Sequence, residues 1–196
     1  MSVDKIILGL LRRPATGYEL KAAFDRTVRH FWAAELSQIY VTLRRLERQG
    51  WLKVRMGPSL KGPARKIYGR TPAGRAALRA WLASEPTFDD ERYTYLAQVF
   101  FMAELSDWEW SVRFIERLRR KRADQLSTFR QIEKDRFGVH GGSTDHLSDE
   151  AFYQYLTLRS GIRTMTARVK WCDEVKGRIE QRADWKRRRA GNKRKD

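Results

Sequence analysis

Between Ser37 and Tyr68 the hydrophobic period of the chain changes once, and that change restricts its folds more than any other feature. Ile39, Leu43 and Leu46 stand four and three residues apart, the spacing that lines one side of an α-helix. Ser37 is placed to cap that helix and Gly50 to end it. Turning by about 100° per residue puts Ser37, Val41, Arg44, Arg45 and Arg48 on the opposite side, with Gln38 beside them. After Gly50, the runs Trp51–Met56 and Lys66–Tyr68 are rich in strand-forming residues, and Gly57, Pro58, Gly62 and Pro63 mark a turn between them. A helix followed at once by a hairpin is the ending of a winged helix-turn-helix.

The charge of this stretch is one-sided. From Ser37 to Arg75 the basic residues are Arg44, Arg45, Arg48, Lys53, Arg55, Lys61, Arg65, Lys66, Arg70 and Arg75, and the one acid is Glu47. Such an imbalance attracts phosphate. A basic helix face can also be merely a solvated one, but here the face belongs to a helix-and-wing unit, which favours DNA. The whole chain agrees: its formal charge is +17 and its pI near 10.5, values that point to nucleic acid, acidic protein or an anionic surface as partner. With 41% hydrophobic residues over 196 positions, two compact units can each bury a core.

Ahead of the recognition helix, Lys5–Leu11 is a short apolar helix, and Thr16-Gly17-Tyr18-Glu19 has the spacing of a capping box that opens a second. That helix continues through Leu20 and Phe24 toward Val28. Phe31 and Trp32 sit in the loop beyond it. Three helices therefore precede the wing. Thr71-Pro72 starts another, with the hydroxyl capping and the proline at the first helical position. Glu85-Pro86 closes the first domain, giving 1–85 as the DNA-binding domain, 86–185 as a helical domain and 186–196 as a basic, disordered tail.

The second domain reads as helix throughout. Arg92–Leu105 is apolar nearly all round, so burial on more than one side is expected. Ser106 to Glu109 has capping-box spacing and Leu105 with Trp110 that of a hydrophobic staple, opening a long helix whose stripe is Phe114, Leu118, Leu126, Phe129 and Ile132, interrupted by Arg122 and ended at Phe137-Gly138. The segment His140–His146 reads as a plain loop rather than a metal site, because its glycines leave the spacing loose and no fourth ligand is near. The last helix opens at Ser148. In it Tyr155, Leu158, Ile162, Met165, Val169 and Cys172 form a heptad-like seam, widened by Phe152, Leu156 and Trp171. We expect this seam, with Trp171, to hold a second copy of the chain; packing inside one monomer is the competing reading. Truncation before Lys186 should flatten the salt dependence of binding if the basic tail touches phosphates.

Taken together, Ile7-Leu8-Gly9-Leu10-Leu11, Gly17-Tyr18-Glu19-Leu20, the run Ile39–Gly50 and Tyr68-Gly69-Arg70-Thr71-Pro72-Ala73-Gly74-Arg75 resemble the PadR family of bacterial transcriptional regulators in order and spacing over about the first 85 residues. The remainder resembles the longer carboxy-terminal domain of its virulence-regulator-like branch. The resemblance implies a mainly α fold with a small β-wing, an N-terminal winged helix-turn-helix and a C-terminal α-helical dimerisation domain. It also implies a homodimer binding double-stranded DNA at an inverted repeat. It puts Tyr18, Gln38, Tyr40 and the basic residues after it near DNA, with Arg65 and Lys66 in the wing; for the two tyrosines, a packing role competes. Arg44 or Arg45 suits guanine, Gln38 adenine and Val41 a thymine methyl, unless Val41 staples against Leu36. Arg70 stands where the family has an apolar residue, so the strand end is either less buried or turned to DNA. Relatives that bind aromatic effectors turn attention to Trp108, Trp110 and Trp171, whose competing role is core and dimer packing; Trp185 belongs to the basic tail.

Other functions fare worse. A sequence-independent nucleoid- or RNA-binding protein would need the charge but not the patterned helix. An enzyme would need a phosphate-cradling glycine loop, a metal set or a histidine beside a nucleophile, and none is evident. No cofactor is implied. No apolar run approaches the roughly 18 residues of a membrane span, the first residues do not read as a signal peptide, and the single Cys172 suits a reducing compartment, so a cytoplasmic protein is expected.

Overall fold

The computed structural model describes residues 3–29, 31–57, 65–86, 93–138 and 143–192. His30, Lys61, His140, the Pro58–Pro63 part of the turn and Lys193–Lys195 lie outside them. The chain forms two compact units, Met1–Asp90 and Glu91–Asp196.

In the first unit the order is α1 (Asp4–Leu10), β1 (Ala15–Thr16), α2 (Gly17–Thr27), α3 (Leu36–Arg48), β2 (Leu52–Gly57), β3 (Arg65–Arg70) and α4 (Pro72–Leu82). The apolar stripes meet as expected: Ile7, Leu8, Leu11, Leu20, Phe24, Ile39, Leu43 and Leu46 are all but inaccessible to solvent and form one core with Leu52 and Tyr68. The capping box of α2 forms, with Thr16 Oγ1 accepting from the Glu19 amide and Glu19 Oε2 accepting from the Thr16 amide at 2.8 Å. Gly50 takes a left-handed φ of 71° and lets the Trp51 amide reach back to the Leu46 carbonyl, which ends α3. Thr71 caps α4 from ahead of Pro72.

Two expectations change here. The sheet has three antiparallel strands in the order β1-β3-β2, because Ala15 and Thr16 pair with Tyr68 and Ile67. A pair of residues is too short to show a period of two. Ser37 is not the cap of α3: the helix begins at Leu36, Glu35 holds the extended capping conformation without a side-chain bond, and Ser37 lies exposed in the first turn. Ala34 is buried just before it, and the helix is entered two residues earlier than the hydroxyl suggests.

The second unit contains α5 (Thr94–Phe100), a 3₁₀ turn (Met102–Leu105), α6 (Trp108–Ile132) running into a π-helical turn (Glu133–Phe137), and α7 (Asp149–Asn192). Pairs between α7 and α6 with its π-helical turn descend in one as they climb in the other: Glu116 with Lys176, Arg119 with Asp173, Glu133 with Arg159, Arg136 with Gln154. The two helices are antiparallel. Their shared core is Leu126, Phe137, Tyr155, Leu158, Ile162 and Met165, with Phe129, Ile132, Leu147 and Ala151 packed on it.

That core corrects the reading of the seam. Tyr155, Leu158, Ile162, Met165 and Cys172 are buried within one chain, and Val169 and Trp171 are half-buried; a heptad stripe finds a helix to pack on, and α6 of the same chain supplies it. Arg122, the break in the α6 stripe, lies 5.2 Å from the Tyr95 ring, so its guanidinium covers an aromatic face. In the expected Arg92–Leu105 segment, the described residues from Tyr93 onward are the reverse of what the composition suggests. The helix there has seven residues, none buried, and Leu96, Phe100, Phe101 and Leu105 are exposed. The cap of α6 is Asp107, which accepts from the Trp110 amide at 2.8 Å, while Ser106 turns into a left-handed conformation and bonds backward to Ala103. At the far end the chain from Lys186 to Asn192 continues α7 as helix rather than as a disordered tail.

Candidate nucleic-acid interface

The stripe that buries Ile39, Thr42, Leu43 and Leu46 decides which way the rest of α3 points. Gln38, Tyr40, Val41, Arg44 and Arg48 are exposed with Ser37, so an amide, a phenol, two methyls and two guanidiniums share one solvent-facing surface. Beside them, Arg65 and Lys66 are exposed at the start of β3. Tyr18, on the first turn of α2, is 75% exposed, far more than a core or packing tyrosine retains.

These side chains enclose a groove of about 570 Å³ lined by Thr16, Gly17, Tyr18, Glu19, Tyr40, Arg44, Arg65, Lys66 and Tyr68. Three cations and one carboxylate face it. The carboxylate is occupied: Glu19 accepts from the Thr16 amide and hydroxyl at 2.8 and 2.9 Å. Those bonds, in that order, with Arg65 nearby, hold its pKa below the ordinary carboxylate value despite some desolvation. Tyr68 at the floor is pushed the other way, chiefly by burial and then by Glu47 and Tyr40. A floor that stays neutral under a basic rim suits a polyanion.

Two of the expected residues are elsewhere. The Arg45 guanidinium is bound by the Asp4 carboxylate of α1, so it ties the recognition helix to the core. A wheel cannot see this, because it does not contain α1. Arg70 donates from Nε to the Leu11 carbonyl at 2.9 Å, with its acidity raised by desolvation and by Arg75 and Arg12. It satisfies the carbonyl that follows α1 instead of reaching outward. Conversely, sequence reasoning missed Gly17, Thr16 and Tyr68 as groove-forming residues; the first two sit inside the recognised capping box, and only the pairing of β1 with β3 brings them beside the wing.

The tryptophans proposed for an effector do not converge. Trp108 lines a cavity of about 390 Å³ together with Val99, Met102, Ser111, Val175 and Lys186, whose ammonium stands 5.0 Å from its ring. Trp110 stacks on Phe114 at 5.3 Å, and Trp171 meets Tyr95 edge-on at 6.1 Å. Among the described residues no group of three or more His, Cys, Asp or Glu side chains could hold a metal, and no helix is long and apolar enough to cross a membrane. His146, from the loop expected to be plain, meets the Phe137 carbonyl at 2.8 Å.

Comparison with known proteins agrees with this geometry. Residues 7–80 match the transcriptional regulator PadR-like family, and residues 91–180 match the virulence activator alpha C-terminal family. The probable transcriptional regulator Rv1176c of Mycobacterium tuberculosis is 32% identical over 186 residues, 90% of this chain and 96% of that one. The negative transcriptional regulator PadR of Bacillus subtilis is 27% identical over 177 residues, 89% of this chain and 96% of its own. Its crystal structure with operator DNA superposes with a TM-score of 0.75 at 24% identity, covering 90% of this chain and 98% of that one. Its complex with p-coumaric acid gives 0.69 at 25%, covering 91% and 98%.

Proposed function

This chain belongs to the PadR-like family of transcriptional regulators, and from that premise we propose that it represses transcription by binding an inverted-repeat operator as a homodimer in the cytoplasm. The observation that carries the reading is the exposed side of α3, whose opposite side closes the core of the first unit. Arg44 has the fork to meet guanine O6 and N7, Gln38 the amide for adenine, and Val41 a methyl surface for thymine. Tyr18, Tyr40, Arg65 and Lys66 border the groove where a backbone phosphate would run. The working division is a DNA-binding domain over 1–85 and a helical dimerisation domain over 86–185.

Helix-turn-helix regulators span two half-sites about one helical turn apart through a two-fold partner. The α7 seam is consumed within the chain, so the partner needs another apolar face. Leu96, Phe100, Phe101 and Leu105 supply one, with Phe100 81% and Phe101 65% exposed, and we assign the dimer contact to them. The cavity beside Trp108 combines apolar walls with the Lys186 ammonium, a chemistry suited to a planar aromatic acid of the kind that the Bacillus protein was crystallised with. Quenching of tryptophan fluorescence by such acids, abolished by Lys186→Ala, is expected; a flat response across a panel of acids would remove this part of the reading.

The experiment for the main reading is selection of bound sequences from a random duplex library near physiological salt. An inverted repeat should be enriched. Arg44→Ala should relax one position by about 1–3 kcal/mol, and Arg45→Ala should leave base preference unchanged because its guanidinium serves Asp4. Binding that enriches nothing and fades with salt would favour sequence-independent coating instead.

A further inference from the structure

Gly17 is the first helical residue of α2, and nothing in its backbone requires glycine: its φ is not in the left-handed range. Alanine would ordinarily serve a helix better. Space, not conformation, explains the residue. A Cβ added there would stand 2.5 Å from Tyr40 Cε1, 2.7 Å from Cζ and 2.9 Å from Oη. The three nearest atoms therefore all belong to the phenol end of one side chain on α3. Because that end can swing, a methyl at Gly17 would displace the ring and leave the helix intact.

Resting on the DNA-binding reading above, we propose that Gly17 is a positioning residue for grip on the DNA backbone: it seats the Tyr40 phenol on the first turn of α2. The seat fixes the hydroxyl in the wall of the groove shared with Tyr18, Arg65 and Lys66. A donor held in place beside two cations meets a duplex phosphate without first losing rotamer freedom. The groove's carboxylate does not oppose this, because Glu19 is turned onto Thr16.

The test is a double-mutant cycle on the full chain with Gly17→Ala, Tyr40→Ala and the pair, measured by fluorescence anisotropy on the selected operator and on a random-sequence duplex at low salt. Gly17→Ala should weaken binding about tenfold, the size of one lost hydrogen bond to a charged group. The loss should be the same on both duplexes, since phosphates are common to them, with a thermal midpoint equal to or above that of the parent. In the Tyr40→Ala background Gly17→Ala should have no effect, because the space is already open. Tyr40→Phe, which keeps the ring but not the hydroxyl, should lose as much as Gly17→Ala. Parental affinity in Gly17→Ala, an equal loss with and without Tyr40, or unfolding of Gly17→Ala alone would each overturn the seat. If the parent selects no operator the repressor reading fails, and the cycle on the random duplex still decides this one.

Discussion

Two glycines of the first unit separate backbone freedom from close approach. A Cβ on Gly74 would lie 2.2 Å from the Trp51 carbonyl oxygen, which already accepts from the Thr71 amide at 3.0 Å. Neither partner can swing aside. Gly74→Ala should therefore destabilise the chain by about 1–3 kcal/mol, although alanine is the better helix former, whereas Gly9→Ala, with nothing within 4 Å, should gain up to about 1 kcal/mol. Urea unfolding midpoints of both variants check the pair of signs. Glu19 makes a prediction in pH. Its folded pKa lies below the ordinary value of 4.5, first through the Thr16 amide and then the Thr16 hydroxyl. A carboxylate so lowered contributes stability that is complete above its unfolded pKa and is lost as pH falls through the folded one. Glu19→Gln should flatten the acid limb of the stability profile and reduce stability at neutral pH; superimposable acid limbs would show that the capping box contributes nothing.

The helices of the second unit show how an element's partner, rather than its own pattern, sets its role. The α7 stripe was legible as a seam, and the sequence held two candidates to cover it, another copy or α6. Leu158, buried in the α6–α7 core, distinguishes them. Leu158→Ala should cost about 2–5 kcal/mol, as cavity formation does, and should lower the thermal midpoint while leaving the sedimenting species of the folded protein unchanged. A folded variant that sediments as a smaller species than the parent would return the seam to a subunit contact. The ion pairs along the same interface are mostly exposed, so their removal should change stability by less than about 1 kcal/mol each. Caps followed the same logic: Asp107 rather than Ser106 holds α6, because Ser106 leaves the 3₁₀ turn with a positive φ and its hydroxyl faces backward.

For the whole molecule, the proposed homodimer needs two recognition helices at a fixed separation, and that proposal assigns the contact to the exposed aromatic surface. Phe100→Glu with Phe101→Glu places two charges on the most exposed part of α5 and its end. Sedimentation should then show monomer at micromolar concentration, with an unchanged circular dichroism spectrum and an operator affinity reduced by more than tenfold through loss of the second half-site. A variant that remains dimeric would place the contact elsewhere.

By itself the sequence determined the helices and the hairpin of the first unit and the side of α3 that faces outward, because periods of 3.6 and 2, a capping box and a Thr-Pro start are local signals that burial then obeys. It also determined the basic character of that surface. Tertiary structure alone decided what each stripe packs on: α6 covers the α7 seam, β1 joins β3, Asp4 claims Arg45, the Leu11 carbonyl claims Arg70, and Gly17 receives Tyr40. Each of the last three joins residues far apart in the chain, and no local pattern encodes such a partner. The apolar run after Arg92 fell to the same limit. Composition states that a surface must be covered, while only the packed fold reveals that the described residues of its own chain leave it open.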